Sequence, residues 1–202
     1  MRIALIRHPA PLIEPGICYG RLDVPLAPTA EQQIGGIAAD PALRGAVRVW
    51  TGPATRCRRL ADAIAVALAV PSVVDPRLRE LDFGDWEGLS WDAVPRADLD
   101  RWADTPLRFA PPGGESGSAL VDRVRDVLAR LREDRQDCVV VSHGGPLKVL
   151  TALLLGVPLD LLVAAPPMGV TRFITIPVDE SPVAERGKRH PGGRIADVPA
   201  TG

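Results

Sequence analysis

Two short apolar runs in this chain each end on a histidine. Ile3-Ala4-Leu5-Ile6 leads into Arg7 and His8, and Cys138-Val139-Val140-Val141-Ser142 leads into His143-Gly144-Gly145. Short runs without polar alternation suit strands buried on both faces, as in a parallel sheet covered by helices. If the two strands are parallel neighbours, their carboxyl ends converge on one crevice, which is where open α/β sheets bind ligands. The chain has three histidines in 202 residues. Two of them at strand ends, one beside a guanidinium, constrain the fold and place a polar site at one edge of it.

The rest of the chain reads as alternating strands and helices. After an irregular Pro- and Gly-rich stretch from Pro9 to Pro28, Thr29 with Gln32 predicts a capping box opening a helix through about Ala39. Val47 to Thr51 reads as a strand, and Pro53 suits the first turn of a helix along which Ala61, Ile64, Ala65 and Leu68 recur. Val73 and Val74 make a short strand. From Ser118 to about Arg132 one helix face carries Leu120, Val124, Val127, Leu128 and Leu131, while Asp122, Arg123, Arg125 and Asp126 read as its solvated side. Pro146 to Leu155 predicts a helix, followed by a turn and a second short helix towards Ala165. Val170 to Ile176 predicts an edge strand ending at Pro177. This order predicts a three-layer α/β/α sandwich with a largely parallel central sheet. Residues 1–178 are expected to form one domain, and 179–202, which include His190, a flexible tail without apolar periodicity.

Composition narrows the partners. A formal net charge of -1 supplies no global field for nucleic acid or an anionic membrane, so any anion site must be local. The apolar stretch at the N-terminus breaks at Arg7, too early for a signal-peptide core or a membrane span. Cys18, Cys57 and Cys138 are widely spaced, odd in number and without a C-x-x-C pair, so neither a disulfide framework nor a zinc site is signalled and a cytoplasmic location is expected. A homodimer is left open.

Four segments look like parts of one phosphate site: Leu5-Ile6-Arg7-His8-Pro9, Trp50-Thr51-Gly52-Pro53-Ala54-Thr55-Arg56-Cys57, Leu78-Arg79-Glu80-Leu81-Asp82-Phe83-Gly84-Asp85-Trp86-Glu87-Gly88, and Val141-Ser142-His143-Gly144-Gly145. Together and in this order they resemble the histidine phosphatase superfamily, also called phosphoglycerate-mutase-like. The resemblance runs from residue 1 to about 177. Arg7 and Arg56 offer planar, permanently charged donors suited to phosphate oxygens. His143, if an incoming phosphate keeps it protonated, adds a third cation around the equatorial oxygens. The backbone N–H of Gly144, at a helix start, is a further candidate donor. The resemblance implies that His8 is the nucleophile forming a phosphohistidine and that Glu80 is the acid, then the base. Pattern alone does not choose between Glu80 and its neighbours Asp82, Asp85 and Glu87. Taken singly, each residue also has an ordinary reading: His8 a hydrogen-bonded core histidine, Arg7 a snorkelling cation, Arg56 part of a solvated face with Arg58 and Arg59. Glu87 reads as a structural element of its loop, and Gly113-Gly114-Glu115-Ser116 as lid support or a cap. No metal or other cofactor is implied, since two arginines beside the histidines would oppose a divalent cation.

The chain departs from the commonest family pattern at Pro9, where glycine or threonine is frequent, and at Thr51-Gly52-Pro53, where Ser-Ser-Pro is usual. Gly16 to Leu26 resembles the Cys-Tyr-Gly-Arg-x-Asp-x-Pro-Leu segment of α-ribazole phosphatases, which implies that Tyr19, Gly20 and Arg21 border a small phosphorylated substrate. The alternative for that segment is a packed loop in which Asp23 caps a turn. Glycolytic phosphoglycerate mutases carry a longer insertion between the acid and the second histidine; here Leu81 to Ser142 is short, which favours water as acceptor and hence hydrolysis. A mutase-like or broad-specificity phosphatase activity and a non-catalytic phospholigand-binding role are the remaining readings.

Overall fold

The computed structural model describes residues 1–177, so the expected tail and His190 lie outside the described residues. Five strands form one sheet in the order β3-β2-β4-β1-β5. These are β1 (Arg2–Arg7), β2 (Arg48–Thr51), β3 (Ser72–Val74), β4 (Cys138–Ser142) and β5 (Thr171–Thr175). β1, β2, β3 and β4 pair in parallel, and β5 adds antiparallel to β1 at one edge. Alternate side chains of β1 enter opposite cores. Ala4 and Ile6 pack with helices α1 (Ala30–Ala38) and α2 (Thr55–Leu68), whereas Ile3 and Leu5 pack with α4 (Gly117–Asp134) and α5 (Gly144–Leu155). Helices on both faces explain why β1 and β4 read as continuous apolar runs. The expected three-layer architecture is the one found.

Register fixes the site. Arg7 lies opposite Ser142 and Ile6 opposite Val141, which also pairs with Thr51. The residues just beyond these strands, His8, His143 and Gly52, therefore emerge side by side at the carboxyl edge.

Local expectations failed where a distant contact decides the element. The capping box at Thr29 does not form: its backbone is helical and its side chain makes no capping bond. An N-cap needs extended backbone to turn its oxygen onto the first N–H groups. Helix α2 begins at Thr55, two residues after Pro53, because Asp23 accepts from both the Thr55 backbone N–H (2.8 Å) and its hydroxyl (2.7 Å). Asp23 thus caps a helix 32 residues away instead of its own turn. No second helix forms between Gly156 and Ala165: Asp160 Oδ1 accepts from Leu162 N in a tight turn, and Pro166 and Pro167 follow. Carbonyls of that loop accept side-chain bonds, Leu161 from Lys148 and Pro166 from Arg7.

The stretch between β3 and α4 holds a helix that periodicity did not single out, α3 (Arg96–Asp104), and three 3-10 turns, at Pro76–Leu78, Gly84–Trp86 and Trp91–Ala93. It has its own small core, built on Cys18, Trp86 and Val94 with Phe83, Trp91, Trp102 and Phe109 around them. Trp91 and Trp102 stack at 6.2 Å, and Phe83 meets both edge-on. The few aromatics of this chain are thus concentrated beside the site.

Candidate active site

His8 is buried at the end of β1, and its Nδ1 lies 2.7 Å from the carbonyl of Pro9. A carbonyl only accepts, so Nδ1 carries the proton and Nε2 keeps its lone pair. Pro9 removes one backbone donor from the loop, yet its carbonyl sets the tautomer that a nucleophile needs. Burial lowers the pKa of His8 to about 3, the Pro9 bond opposes this, and the charges of Arg56 and Arg7 add to it. The imidazole is therefore neutral at pH 7.

His143, 5.0 Å from His8 between ring centroids, immediately precedes α5. Its Nδ1 faces Arg56 Nη2 at 3.3 Å and its Nε2 faces Cys57 Sγ at 3.3 Å. A guanidinium only donates, so Nδ1 accepts and the proton sits on Nε2. Burial, and then His8, Arg56, Arg7 and Arg123, hold His143 well below the usual histidine range. Cys57 is a small, fully buried residue of α2, and burial pushes its thiol up, so it is inert.

Arg56 is fully buried on the first turn of α2 and donates to the carbonyls of Leu22 (2.7 Å) and Gly20 (2.8 Å). Arg7 donates through Nη1 to Pro166 O. Each also keeps a buried Nε–H with no protein acceptor among the described residues. Buried donors are nearly always paired. The two on Arg7 and Arg56 leave charged donors open to an anion beside the histidines.

Among the four acidic candidates, geometry distinguishes Glu80. Glu87 is taken by the N–H groups of Arg21, Leu22 and Phe83, the structural role expected of it. Asp82 pairs with Arg21 and accepts from Gly84 N, and Asp85 is exposed. Glu80 alone of the four lines both cavities of the site. Its Oε1 accepts from Leu81 N and Gly145 N, both at 2.9 Å, and Gly145 has no space for a Cβ against that oxygen. Burial raises the pKa of Glu80, opposed by those two N–H groups and then by Arg7 and Arg56. A carboxyl raised above its ordinary range is shifted towards the protonated form that a general acid requires.

One cavity, about 350 Å³, is lined by Arg21, Asp23, Pro53, Arg56, Arg79 and His143 with Glu80. The other, about 290 Å³, runs from Arg7, Glu80, Gly144 and Gly145 to Tyr19, Phe83, Trp91 and Trp102. Tyr19 and Gly20 line the second cavity and Arg21 the first. Arg21, though, spends its guanidinium on Asp82 (2.7 Å), Glu115 (2.8 Å) and the Glu80 carbonyl (3.3 Å). Gly20 has φ +29° and no room for a Cβ against Glu87. Arg58 and Arg59 stay on the exposed face, Arg59 paired with Glu31. Sequence reading missed Lys148, whose half-buried ammonium enters the second cavity and bonds Leu161 O at 2.6 Å. It also missed the Trp91–Trp102 wall and Arg123. Arg123 lies about 60° around the helix from Leu120, on the flank of the apolar stripe, which was the available signal.

Residues 3–179 match the histidine phosphatase superfamily (branch 1). The chain belongs to this superfamily. This histidine phosphatase is 32% identical over 173 residues to a glucosyl-3-phosphoglycerate phosphatase of Mycolicibacterium vanbaalenii, covering 79% of this chain and 76% of that one. It is 29% identical over 166 residues to phosphoserine phosphatase 1 of Hydrogenobacter thermophilus, covering 79% of each. The crystal structure of an α-ribazole phosphatase from Shigella flexneri superposes with a TM-score of 0.77 at 27% identity, over 88% of this chain and 91% of that one. The relatives are enzymes of small phosphorylated substrates, and no described helix is long and apolar enough to cross a membrane.

Proposed function

We propose that this histidine phosphatase hydrolyses a phosphomonoester through a phosphohistidine on His8, and that its substrate is α-ribazole 5′-phosphate or its cobalamin-bound form. His8 Nε2 attacks phosphorus in line, a P–N bond forms as the ester P–O bond breaks, and Glu80 gives its proton to the departing alkoxide. Glu80, now a carboxylate, takes a proton from water as that water attacks the phosphohistidine, releasing inorganic phosphate and restoring neutral His8. Arg7 and Arg56, through their free Nε–H groups, and His143, protonated by the dianion, hold the three equatorial oxygens; the N–H of Gly144 adds to them. The two orphan Nε–H groups beside His8 argue for this over a non-catalytic phospholigand-binding role only together with the neutral imidazole of His8 and the raised pKa of Glu80.

One observation carries the choice of substrate: the cavity that opens from Glu80 is walled by Tyr19, Phe83, Trp91 and Trp102. Aromatic faces suit a flat benzimidazole base, which stacks on them, better than a hydroxylated sugar acid. The similarity to the Shigella α-ribazole phosphatase and the Tyr19-Gly20-Arg21 turn support the same reading. Three unpaired buried thiols fit a reducing cytoplasm. A second reading rests on Lys148, whose ammonium in that cavity suits a substrate carboxylate, as in a phosphoglycerate-type or broader phosphomonoester.

Phosphate release from α-ribazole 5′-phosphate, glucosyl-3-phosphoglycerate, phosphoserine, 3-phosphoglycerate and fructose 2,6-bisphosphate, compared by kcat/KM, tests the choice. The expected outcome is a preference of at least about tenfold for the first, the scale of one good aromatic contact. Similar rates on all five keep the phosphatase and discard the substrate; a preference for a carboxylate-bearing ester supports the Lys148 reading.

A further inference from the structure

We propose that Arg123 of α4, held by Glu115, is the positioning residue that aims Glu80 at the leaving oxygen. This rests on the reading of Glu80 as the proton donor. The segment 77–80 lies in no strand, so its carbonyls have no ladder partners. All four are nevertheless satisfied, each by a side chain. Arg123 Nη1 donates to Arg77 O and Arg79 O, Ser142 Oγ donates to Leu78 O at 2.8 Å, and Glu80 O accepts from Arg123 Nη2 at 2.9 Å and Arg21 Nε at 3.3 Å.

The remaining donors of Arg123 go to Glu115: Nε to Oε2, and Nη2 to Oε1. A guanidinium carries five N–H groups in a planar fork, and here every one has a partner. Glu115 in turn accepts from Arg21 Nη2 and Asp82 N. Both Arg123 and Glu115 are only 15% exposed, so the fork is held in a mostly dry setting where bidentate geometry is directive. Ser116 caps α4 through Ala119 N, which places Arg123 nearly two turns into a fixed helix.

Arg123 lines neither cavity, so it acts through Glu80 and does not touch substrate. Its influence is specific because Oε1 of Glu80 is already pinned by two backbone N–H groups. What is left to move is the main chain that carries the carboxyl, and Arg123 grips that main chain at residues 77, 79 and 80. Lysine at this position could reach one carbonyl but could not reproduce the fork.

The experiment compares Arg123→Lys, Glu80→Gln, the double variant and Glu115→Gln on two esters, β-glycerophosphate, whose alkoxide needs a proton to leave, and p-nitrophenyl phosphate, whose phenolate does not. Arg123→Lys should lower kcat on β-glycerophosphate by about 100-fold, the effect of an ångström-scale misplacement of a catalytic group. It should leave KM near its original value and cost far less on p-nitrophenyl phosphate. Adding it to Glu80→Gln should cost nothing further on either ester. Glu115→Gln, which loosens the fork without emptying it, should act in the same direction and more weakly, and it serves if Arg123→Lys does not fold. Equal losses on both esters, or a full Arg123→Lys loss in the Glu80→Gln background, would show a merely structural residue and overturn the proposal while the acid assignment stands. Should Glu80→Gln itself cost the same on both esters, the acid assignment falls and the proposal with it.

Discussion

At the scale of the residue, the site is built from charges that the fold holds in unusual states. Both histidines at the carboxyl edge of the sheet are neutral because they are buried, and among cations. The folded imidazoles bind fewer protons than the unfolded ones over the interval from about 3, the folded value for His8, to 6.5, the ordinary value. The stability contributed by these two histidines is therefore full above pH 6.5 and declines as pH falls through that window, by up to about 1.4 kcal/mol per pH unit for each. Denaturant unfolding at pH 7.5, 6.5 and 5.5 should show this slope, and His8→Asn should remove about half of it. A slope untouched by that substitution would mean that His8 titrates normally in the fold. The same burial explains Glu80: its raised pKa makes the carboxylate form costly above the ordinary carboxyl range, so Glu80→Gln should gain stability over the wild type as pH rises from 4.5 to 8 while losing turnover. Thermal unfolding across that range checks the sign.

At the scale of the element, function concentrates on helix starts and on the segment between β3 and α4. Helices α2 and α5 each bring a cation or a backbone donor to the site on their first turn, while α3 supplies Trp102 to a cluster set apart from the main cores. Trp102 stacks on Trp91 and lines the cavity that opens from Glu80. Trp102→Ala should therefore raise KM for α-ribazole 5′-phosphate by about tenfold, matching a stacking loss of about 1.4 kcal/mol, and leave β-glycerophosphate unchanged. An equal change for both would mean that the cluster supports the loop and does not read the base. Trp86 makes the contrast: it is 2% exposed at the centre of the same cluster, and Trp86→Ala should cost about 3–5 kcal/mol of stability on both counts of packing and cavity.

At the scale of the whole molecule, the parallel sheet brings together residues from four distant segments, and the chemistry follows from their sum. Among the described residues no cluster of three or more His, Cys, Asp and Glu could hold a metal ion, and the guanidiniums of Arg7 and Arg56 each keep an unpaired buried Nε–H there. Phosphate release should accordingly be unchanged by EDTA, and complete loss would sink the mechanism proposed for His8. The α/β architecture, both histidine-bearing strand ends and the amphipathic α4 were legible in the sequence by itself, because a buried strand or a helix stripe is written in consecutive or evenly spaced residues. Only the tertiary structure singled out Glu80 among four nearby acids by geometry, since that depends on which loop lies beside the N-terminus of α5, 65 residues further on. It also moved the start of α2 to Thr55 through Asp23, drew Arg21 into a pair with Glu115 across 94 residues, and turned Arg123 from a surface charge into a clamp on the acid. Each of these is a polar contact between segments far apart in sequence. Local patterns record what a residue buries; they do not record which distant carbonyl or carboxylate it meets once the sheet has closed.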